Sequence, residues 1–195
     1  MKTPGRIIVI VGPMFAGKTT KLIGELKKAQ GKNLKTVVFK SPFDNRYSKS
    51  KVVSHAGESV PALILPVDAS CTKVLNSAAE KYDVIGIDEG QFWADAEGFV
   101  DSLNKLAFDS KIIYVSMLNK DHAGKPLRLS RELIPIADEV LSLNAKCAVC
   151  GNESASLTQR LIPMKSNAKL EDMVGGAETY QPRCRNCFEL NKNVV

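Results

Sequence analysis

Short apolar runs alternate along the chain with longer segments that repeat hydrophobic residues at helical spacing. The runs typical of buried strands are 6–11, 35–40, 84–87, 111–116 and 139–143. The segments suited to helices are 18–30, 68–81, 94–108 and 128–137. Strands that alternate with helices in this way predict an α/β fold with a mostly parallel central sheet.

Two segments depart from this alternation, residues 41–61 and the residues from Asn144 onward. Residues 41–61 are polar and basic and too irregular for a core element, so we expect a loop or hairpin lying over the functional site. The segment 68–81 opens with Asp68, a candidate N-cap. From Asn144 onward the character changes, because two Cys-x-x-Cys pairs flank a polar stretch. We therefore predict a domain boundary near residue 143, with a larger domain in 1–143 and a small one in 144–195.

The composition is that of an ordinary globular protein. The 195 residues are 44% hydrophobic and 25% charged, which allows a core without disulfides. No apolar run approaches the ~18 residues that span a bilayer. Because the first strand begins near Arg6, we expect no cleaved presequence, no membrane partner and a cytoplasmic location. The net charge of +6 is spread along the chain and fits a solvated basic surface, an anionic small substrate or a nucleic-acid partner.

The turn after the first strand carries the most informative motif. Residues 12–19 read Gly-Pro-Met-Phe-Ala-Gly-Lys-Thr and match G-x-x-x-x-G-K-[ST] in full. Such a loop turns backbone N–H groups toward phosphate oxygens at the start of a helix. In that arrangement Lys18 contacts the β- and γ-phosphates of ATP, and the Thr19 hydroxyl binds Mg²⁺. The alternative, a glycine turn without a ligand, does not explain why the motif lies between a strand and a helix.

An acidic pair ends the strand at 84–87. An aspartate at the carboxyl end of a strand can hold Mg²⁺ through water, a role that suits Asp88. Glu89 then lies beside the metal, where a carboxylate can accept a proton from an attacking hydroxyl. The alternative is that both residues only cap the following helix.

Four of the five cysteines have the spacing of metal ligands. The pairs are Cys147-x-x-Cys150 and Cys184-x-x-Cys187, and together they predict a closed, structural Cys₄ zinc site. Disulfides or free thiols are the alternatives. Cys71 stands alone on a predicted helix and fits a small core residue.

Taken together, these residues resemble the type II thymidine kinase family, and the resemblance covers nearly the whole chain. The segments that carry it are Gly12–Thr20, Asp44–Tyr47, Ser54-His55, Ile87–Phe92, the two cysteine pairs, Gln159–Leu161, and Gly175-Gly176 with Tyr180. The resemblance implies a phosphate-loop ATP-binding domain followed by a small zinc domain that carries a lasso loop. It also implies transfer of the γ-phosphate of ATP to the 5′-hydroxyl of thymidine, with Mg²⁺ and a structural Zn²⁺.

The resemblance also implies roles for individual residues. Glu89 is the expected general base, and Thr19 and Asp88 are the expected Mg²⁺ partners. The expected phosphate-binding residues are Gly12, Pro13, Met14, Phe15, Ala16, Gly17, Lys18, Thr19, Thr20 and Arg46. The expected nucleoside-binding residues are Met14, Asp44, Arg46, Phe92, Leu118, Leu127, Met173, Gly175 and Tyr180. Feedback binding of dTTP and a homotetramer are implied in the same way, and a nucleic-acid partner is not.

Several positions depart from the family pattern. Asn119 and Lys120 stand where the family carries Asp-Gly, and His122 and Leu127 stand at aromatic positions. Glu171 occupies an apolar position of the lasso. We expect these changes to make the wall around the base smaller and more polar. The same motifs also allow two other functions, an ATPase that acts on nucleic acid through the zinc unit and a pseudoenzyme that only binds nucleotides.

Overall fold

A computed structural model describes residues 4–44, 50–54, 57–163 and 174–190. The strands are β1 (Arg6–Val11), β2 (Thr36–Lys40), β3 (Lys51–Val53), β4 (Ser59–Pro61), β5 (Leu63–Ile64), β6 (Val84–Ile87), β7 (Ile112–Met117), β8 (Glu139–Ser142), β9 (Leu157–Arg160) and β10 (Tyr180–Arg183). The helices are α1 (Lys18–Gly31), α2 (Cys71–Ala79), α3 (Phe99–Phe108) and α4 (Arg128–Leu133). Short 3₁₀ turns span Gly90–Trp93 and Ile134–Ile136.

The central sheet has six strands in the order β5-β2-β6-β7-β1-β8, and every neighbouring pair is parallel. Alternate residues of β1 face opposite sides of this sheet. Ile7 and Val9 belong to the core that packs against α2, α3 and α4, whereas Ile8 and Ile10 belong to the core on the α1 side. Burial on both faces explains why the strands read as continuous apolar runs, and the α/β prediction is confirmed.

Within the segment 41–61, predicted as a loop or hairpin, β3 and β4 form an antiparallel hairpin. The expectation that this segment contributes nothing to the core is wrong, because Val52 and Val60 are buried in the core on the α1 side. Strand β5 was not predicted, because its two residues are exposed at the edge of the sheet and form too short a run.

Three predicted helices have different ends in the structure. The helix predicted at 94–108 begins at Phe99, because Gly98 adopts a left-handed conformation with φ +73° directly before it. Helix α2 begins at Cys71, and Asp68 is not its N-cap but accepts a hydrogen bond of 2.8 Å from the Ser70 amide. The helix predicted at 128–137 ends at Leu133, before the turn that contains Pro135.

The segment after the central sheet forms a small unit of its own. Strands β9 and β10 pair antiparallel with each other, and a bridge joins Ala145 to Ala155. Their separation from the six-stranded sheet supports our proposal of a boundary near residue 143. Within the described ranges, no helix combines the length and apolar character needed to cross a membrane.

Candidate active site

The phosphate loop connects β1 to α1 and has a tightly constrained backbone. Phe15 and Gly17 both have positive φ, +64° and +79°. The buried ammonium of Lys18 donates a hydrogen bond of 2.7 Å to the Pro13 carbonyl across the loop. At Gly12 a side chain is excluded, because an added Cβ would lie 2.5 Å from a neighbouring carbonyl oxygen. The loop is therefore curled around the nitrogen that is expected to face the phosphates.

Asp88 lies at the end of β6, within reach of the phosphate-loop hydroxyl. The Thr19 hydroxyl is 3.1 and 3.2 Å from the two Asp88 carboxylate oxygens, and Ser116 at the end of β7 donates a further hydrogen bond. Burial and then the charge of Glu89 raise the pKa of Asp88 to about 7, and Asp44 adds to this rise. A hydroxyl and a buried carboxylate form a set of hard oxygen donors that suits Mg²⁺, and a cation there would favour the ionised acid.

Glu89 begins the turn after β6 in a strained conformation. Its φ of +56° lies in the left-handed region, which is uncommon for a non-glycine residue and often marks a functional position. The Gln91 side-chain amide donates a hydrogen bond of 2.6 Å to the Glu89 carboxylate and accepts one of 3.0 Å from the Leu118 amide. The Glu89 carboxylate is therefore held by the Gln91 side chain, whose amide nitrogen and amide oxygen both take part in hydrogen bonds.

A cavity of about 260 Å³ extends from Glu89 to the C-terminal unit. Its lining includes seven predicted site residues: Met14, Glu89, Phe92, Leu118, Leu127, Gly175 and Tyr180. Asp44 is half-buried and does not line this cavity, although its charge reaches Asp88. Arg46 and Met173 lie outside the described residues. In the loop itself, Ala16 packs against the cysteine-lined core and Thr20 is half-buried on α1.

Among the residues of the site that sequence reasoning missed, Thr158 and Gln91 make the most informative contacts. Thr158 lines the cavity and accepts a hydrogen bond of 3.0 Å from the Met14 amide. Gln91 holds Glu89, as described above. Gln91 lies two residues after Glu89 in the segment 87–92 that carried the resemblance, so a hydrogen bond between the two side chains could have been suggested from the sequence. Thr158 has no local signal, because its partner is 144 residues away in the sequence.

At the far end of the cavity the lining residue Tyr180 contacts a buried arginine that is not itself part of the lining. Arg160 donates a hydrogen bond of 2.5 Å to the Tyr180 hydroxyl, and its guanidinium carbon lies 5.3 Å from that ring centre. His122 is also part of the lining. Burial lowers the pKa of His122, and the nearby Arg160 charge acts in the same direction. Of the positions that depart from the family pattern, Lys120, His122 and Leu127 line the cavity, and Glu171 lies outside the described residues.

The four predicted zinc ligands lie together. The sulfurs of Cys147, Cys150, Cys184 and Cys187 are all within 4.8 Å of one another. The Sγ atoms of Cys150 and Cys184 are 3.7 Å apart, which matches the ~3.8 Å between sulfurs bound tetrahedrally at ~2.3 Å from one zinc ion.

Electrostatics at this centre also favour a cation. Hydrogen bonds from backbone N–H groups, first that of Cys150 and then that of Cys184, lower the pKa of Cys147 to about 6. Hydrogen bonding to the Cys184 and Cys150 thiols raises the pKa of Cys187 to about 12. A divalent cation would counter this rise and hold all four sulfurs as thiolates.

Comparisons with known proteins agree with this site. The family model described as thymidine kinase matches residues 5–188. A curated relative, the thymidine kinase of Pyrobaculum aerophilum, is 38% identical over 187 residues, which cover 94% of this chain and 98% of the relative. Among solved structures, a DNA replication initiation factor superposes with a TM-score of 0.42 and 16% identity over 71% of this chain. The chain spans only 40% of that protein's length, and a likeness this weak supports no inference. The family match and the curated relative show that the chain belongs to the thymidine kinase family.

Proposed function

We propose that this protein transfers the γ-phosphate of ATP to the 5′-hydroxyl of thymidine, giving ADP and thymidine 5′-monophosphate. The observation that carries the proposal is the position of Glu89. Its backbone follows directly on Asp88, which contacts the phosphate loop, and its side chain lines the cavity that ends at Tyr180. A carboxylate between a phosphate site and a nucleoside-sized cavity is suited to activate an alcohol.

The phosphate end of the site is suited to bind ATP with magnesium. Residues 12–20 would surround the phosphates with backbone N–H groups, and Lys18 would neutralise the β- and γ-phosphates. Thr19 and Asp88 would hold Mg²⁺, which when bound offsets the charge that develops on the phosphate oxygens. Arg46 is proposed to lie beside the transferring phosphate.

Glu89 would act as the general base. The 5′-hydroxyl donates a hydrogen bond to the carboxylate, and the proton moves to Glu89 as the oxygen attacks the γ-phosphorus and the bond to ADP breaks. The hydrogen bond from Gln91 restricts the orientation of the carboxylate relative to the cavity. Strain at Glu89 is consistent with a carboxylate aimed into the cavity rather than along the helical turn.

The cavity would hold the nucleoside. Met14, Phe92, Leu118 and Leu127 offer an apolar wall for the base, and Tyr180 offers a ring face. Gly175 allows backbone contact with the sugar or base, and Asp44 and Met173 are proposed as further contacts to the nucleoside.

The Cys₄ centre would bind Zn²⁺ in a structural role, since a closed set of four thiolates leaves no coordination position for a substrate. We further propose a cytoplasmic location, a homotetramer and feedback binding of dTTP. These three proposals rest on the family resemblance.

Product analysis tests the proposed reaction. Purified zinc-loaded protein is incubated with γ-labelled ATP, Mg²⁺ and either thymidine, 3′-deoxythymidine or 5′-deoxythymidine, and products are separated chromatographically. We expect label transfer to the first two acceptors and none to 5′-deoxythymidine, which lacks the reacting hydroxyl. Absence of a labelled nucleoside, together with ATP hydrolysis stimulated by oligonucleotides and weakened by salt, would instead identify a nucleic-acid-dependent ATPase.

A further inference from the structure

The C-terminal unit is joined directly to the phosphate loop. The buried hydroxyl of Thr158 on β9 accepts a hydrogen bond of 3.0 Å from the Met14 amide. A second contact lies two residues further along the loop, where Ala16 packs against the buried core formed by Ala145, Cys147, Ala155 and Cys184. The loop is thus supported from outside by the same unit that carries the four cysteines.

These two contacts flank the most strained residue of the loop. Phe15, between Met14 and Ala16, has a φ of +64°. A non-glycine residue keeps a left-handed conformation only when its surroundings hold it there. The bonded amide of Met14 on one side and the packed Ala16 on the other restrain the chain next to Phe15, in addition to the hydrogen bond of 3.4 Å that the Ala16 amide donates to the Pro13 carbonyl. The peptide units between them belong to the phosphate-binding turn, whose N–H groups must converge on the anion.

The position of Thr158 depends in turn on the cysteine centre. Thr158 pairs with Pro182 of β10, and the carbonyl of Pro182 accepts a hydrogen bond of 2.9 Å from the amide of Ala148. Ala148 lies between Cys147 and Cys150, and Pro182 lies two residues before Cys184. Strand β10, which pairs with β9, and the Ala148 segment, which is bonded to β10, therefore both lead into the cysteine ligands within two residues.

We propose that Thr158 is a positioning residue for ATP, and that the Cys₄ centre braces the phosphate loop through it. Without the Thr158 hydroxyl, the Met14 amide has no partner in this geometry, and the loop gains alternative conformations in which that N–H meets water. ATP then binds only the fraction of molecules whose loop is correctly formed, so its apparent dissociation constant rises. The inference deepens the proposed function, because it assigns part of the ATP site to the zinc unit, but it concerns ATP binding alone.

The test is a direct titration of ATP in the absence of any nucleoside. The test variant, Thr158→Val, keeps the shape of the side chain and removes the acceptor. Thr158→Ser, a first control, keeps the hydroxyl. Thr36→Val, a second control, removes a hydroxyl that accepts a 2.7 Å hydrogen bond from Gln30 at an exposed site of the main sheet. We expect about tenfold weaker ATP binding for Thr158→Val, the lower part of the range for an unpaired buried amide, and less than about twofold change for the other two. Metal content per chain is measured for each variant.

Removal of the metal from the wild-type protein provides a second measurement. Trp93, the one tryptophan in the sequence, is buried against Phe99 in the main domain, so its fluorescence reports whether that domain remains folded. With the Trp93 signal intact, chelation is expected to weaken ATP binding in the wild-type protein and to add little to the effect of Thr158→Val, because both act on one contact.

Either of two results would overturn the proposal. One is ATP binding by metal-loaded Thr158→Val that equals the wild-type value. The other is ATP binding by the chelated wild-type protein that is unchanged while the Trp93 signal is intact. Because the titration contains no nucleoside, it remains valid even if the protein does not phosphorylate thymidine. Conversely, if Thr158 does not affect ATP binding, the proposed phosphorylation of thymidine is not contradicted.

Discussion

Gln91 provides a test of how the candidate base is oriented. Its amide nitrogen donates a 2.6 Å hydrogen bond to Glu89, and its amide oxygen accepts a 3.0 Å hydrogen bond from the Leu118 amide. Gln91→Met keeps the length and approximate volume of the side chain and removes both bonds. We expect the Glu89 carboxylate to explore other rotamers, so that fewer encounters with the substrate hydroxyl are productive.

The structure sets the size of this effect. A hydrogen bond to a charged group contributes about 1.5–3 kcal/mol to the arrangement that it holds. Glu89 and the Leu118 amide are only half-buried, so water replaces part of what is lost and the lower end of the range applies. A loss of about 1.5 kcal/mol corresponds to a fall in kcat of roughly tenfold.

Steady-state kinetics with thymidine and ATP measure this change. The expected pattern is a roughly tenfold lower kcat with little change in the KM for ATP, because the side-chain hydrogen bonds of Gln91 go to Glu89 and Leu118 and not to the phosphate loop. Gln30→Met on the exposed side of α1 is the matched control and should behave like the wild-type protein. An unchanged kcat for Gln91→Met would show that Glu89 does not depend on this hydrogen bond.

Three further predictions follow from individual side chains. Tyr180→Phe removes the acceptor of a hydrogen bond from buried Arg160 and should lower the free energy of unfolding in urea by about 2 kcal/mol, whereas an unchanged midpoint would contradict this. Gly12→Ala should abolish ATP binding through a backbone clash, whereas Gly24→Ala, in open space inside α1, should stabilise the protein by about 0.5–1 kcal/mol in thermal unfolding. Burial lowers the pKa of His122 in the folded protein, so the His122 ring binds a proton more readily in the unfolded chain. The free energy of unfolding should therefore fall as the pH drops from about 6.5 toward the lower pKa of the folded state. The same melting series on His122→Phe should show a weaker pH dependence; an identical slope would exclude His122 as the cause.

Local sequence patterns were sufficient for five of the six strands of the main sheet and for the chemistry at its carboxyl edge. Buried strands such as 6–11 and 84–87 are apolar throughout, because helices cover both faces of the sheet. The motif at 12–19 and the acid at Asp88 then follow those strands directly. Parallel strands bring their carboxyl ends to one edge, so the proximity of Thr19 to Asp88 is a consequence of topology.

What could not be predicted depends on contacts between distant segments. The hairpin of β9 and β10 has little hydrophobic alternation, and β9 is buried throughout although three of its four residues are polar, with packing that includes the phosphate loop at Met14. Thr158 gains its contact with Met14 only from that packing. Helix ends were also misplaced where a backbone conformation decided them, as at Gly98, whose positive φ has no signature in the hydrophobic pattern.

The proposed reaction depends on Glu89 accepting the proton of the thymidine 5′-hydroxyl during phosphoryl transfer. A single-turnover rapid-quench experiment with excess enzyme, ATP, Mg²⁺ and labelled thymidine compares the wild-type protein with Glu89→Gln, while a separate titration measures ATP binding to each. We expect the wild-type protein to form thymidine 5′-monophosphate, the two proteins to bind ATP equally well, and the rate for Glu89→Gln to be lower by about 10²- to 10⁴-fold. A Glu89→Gln rate equal to that of the wild-type protein would contradict it.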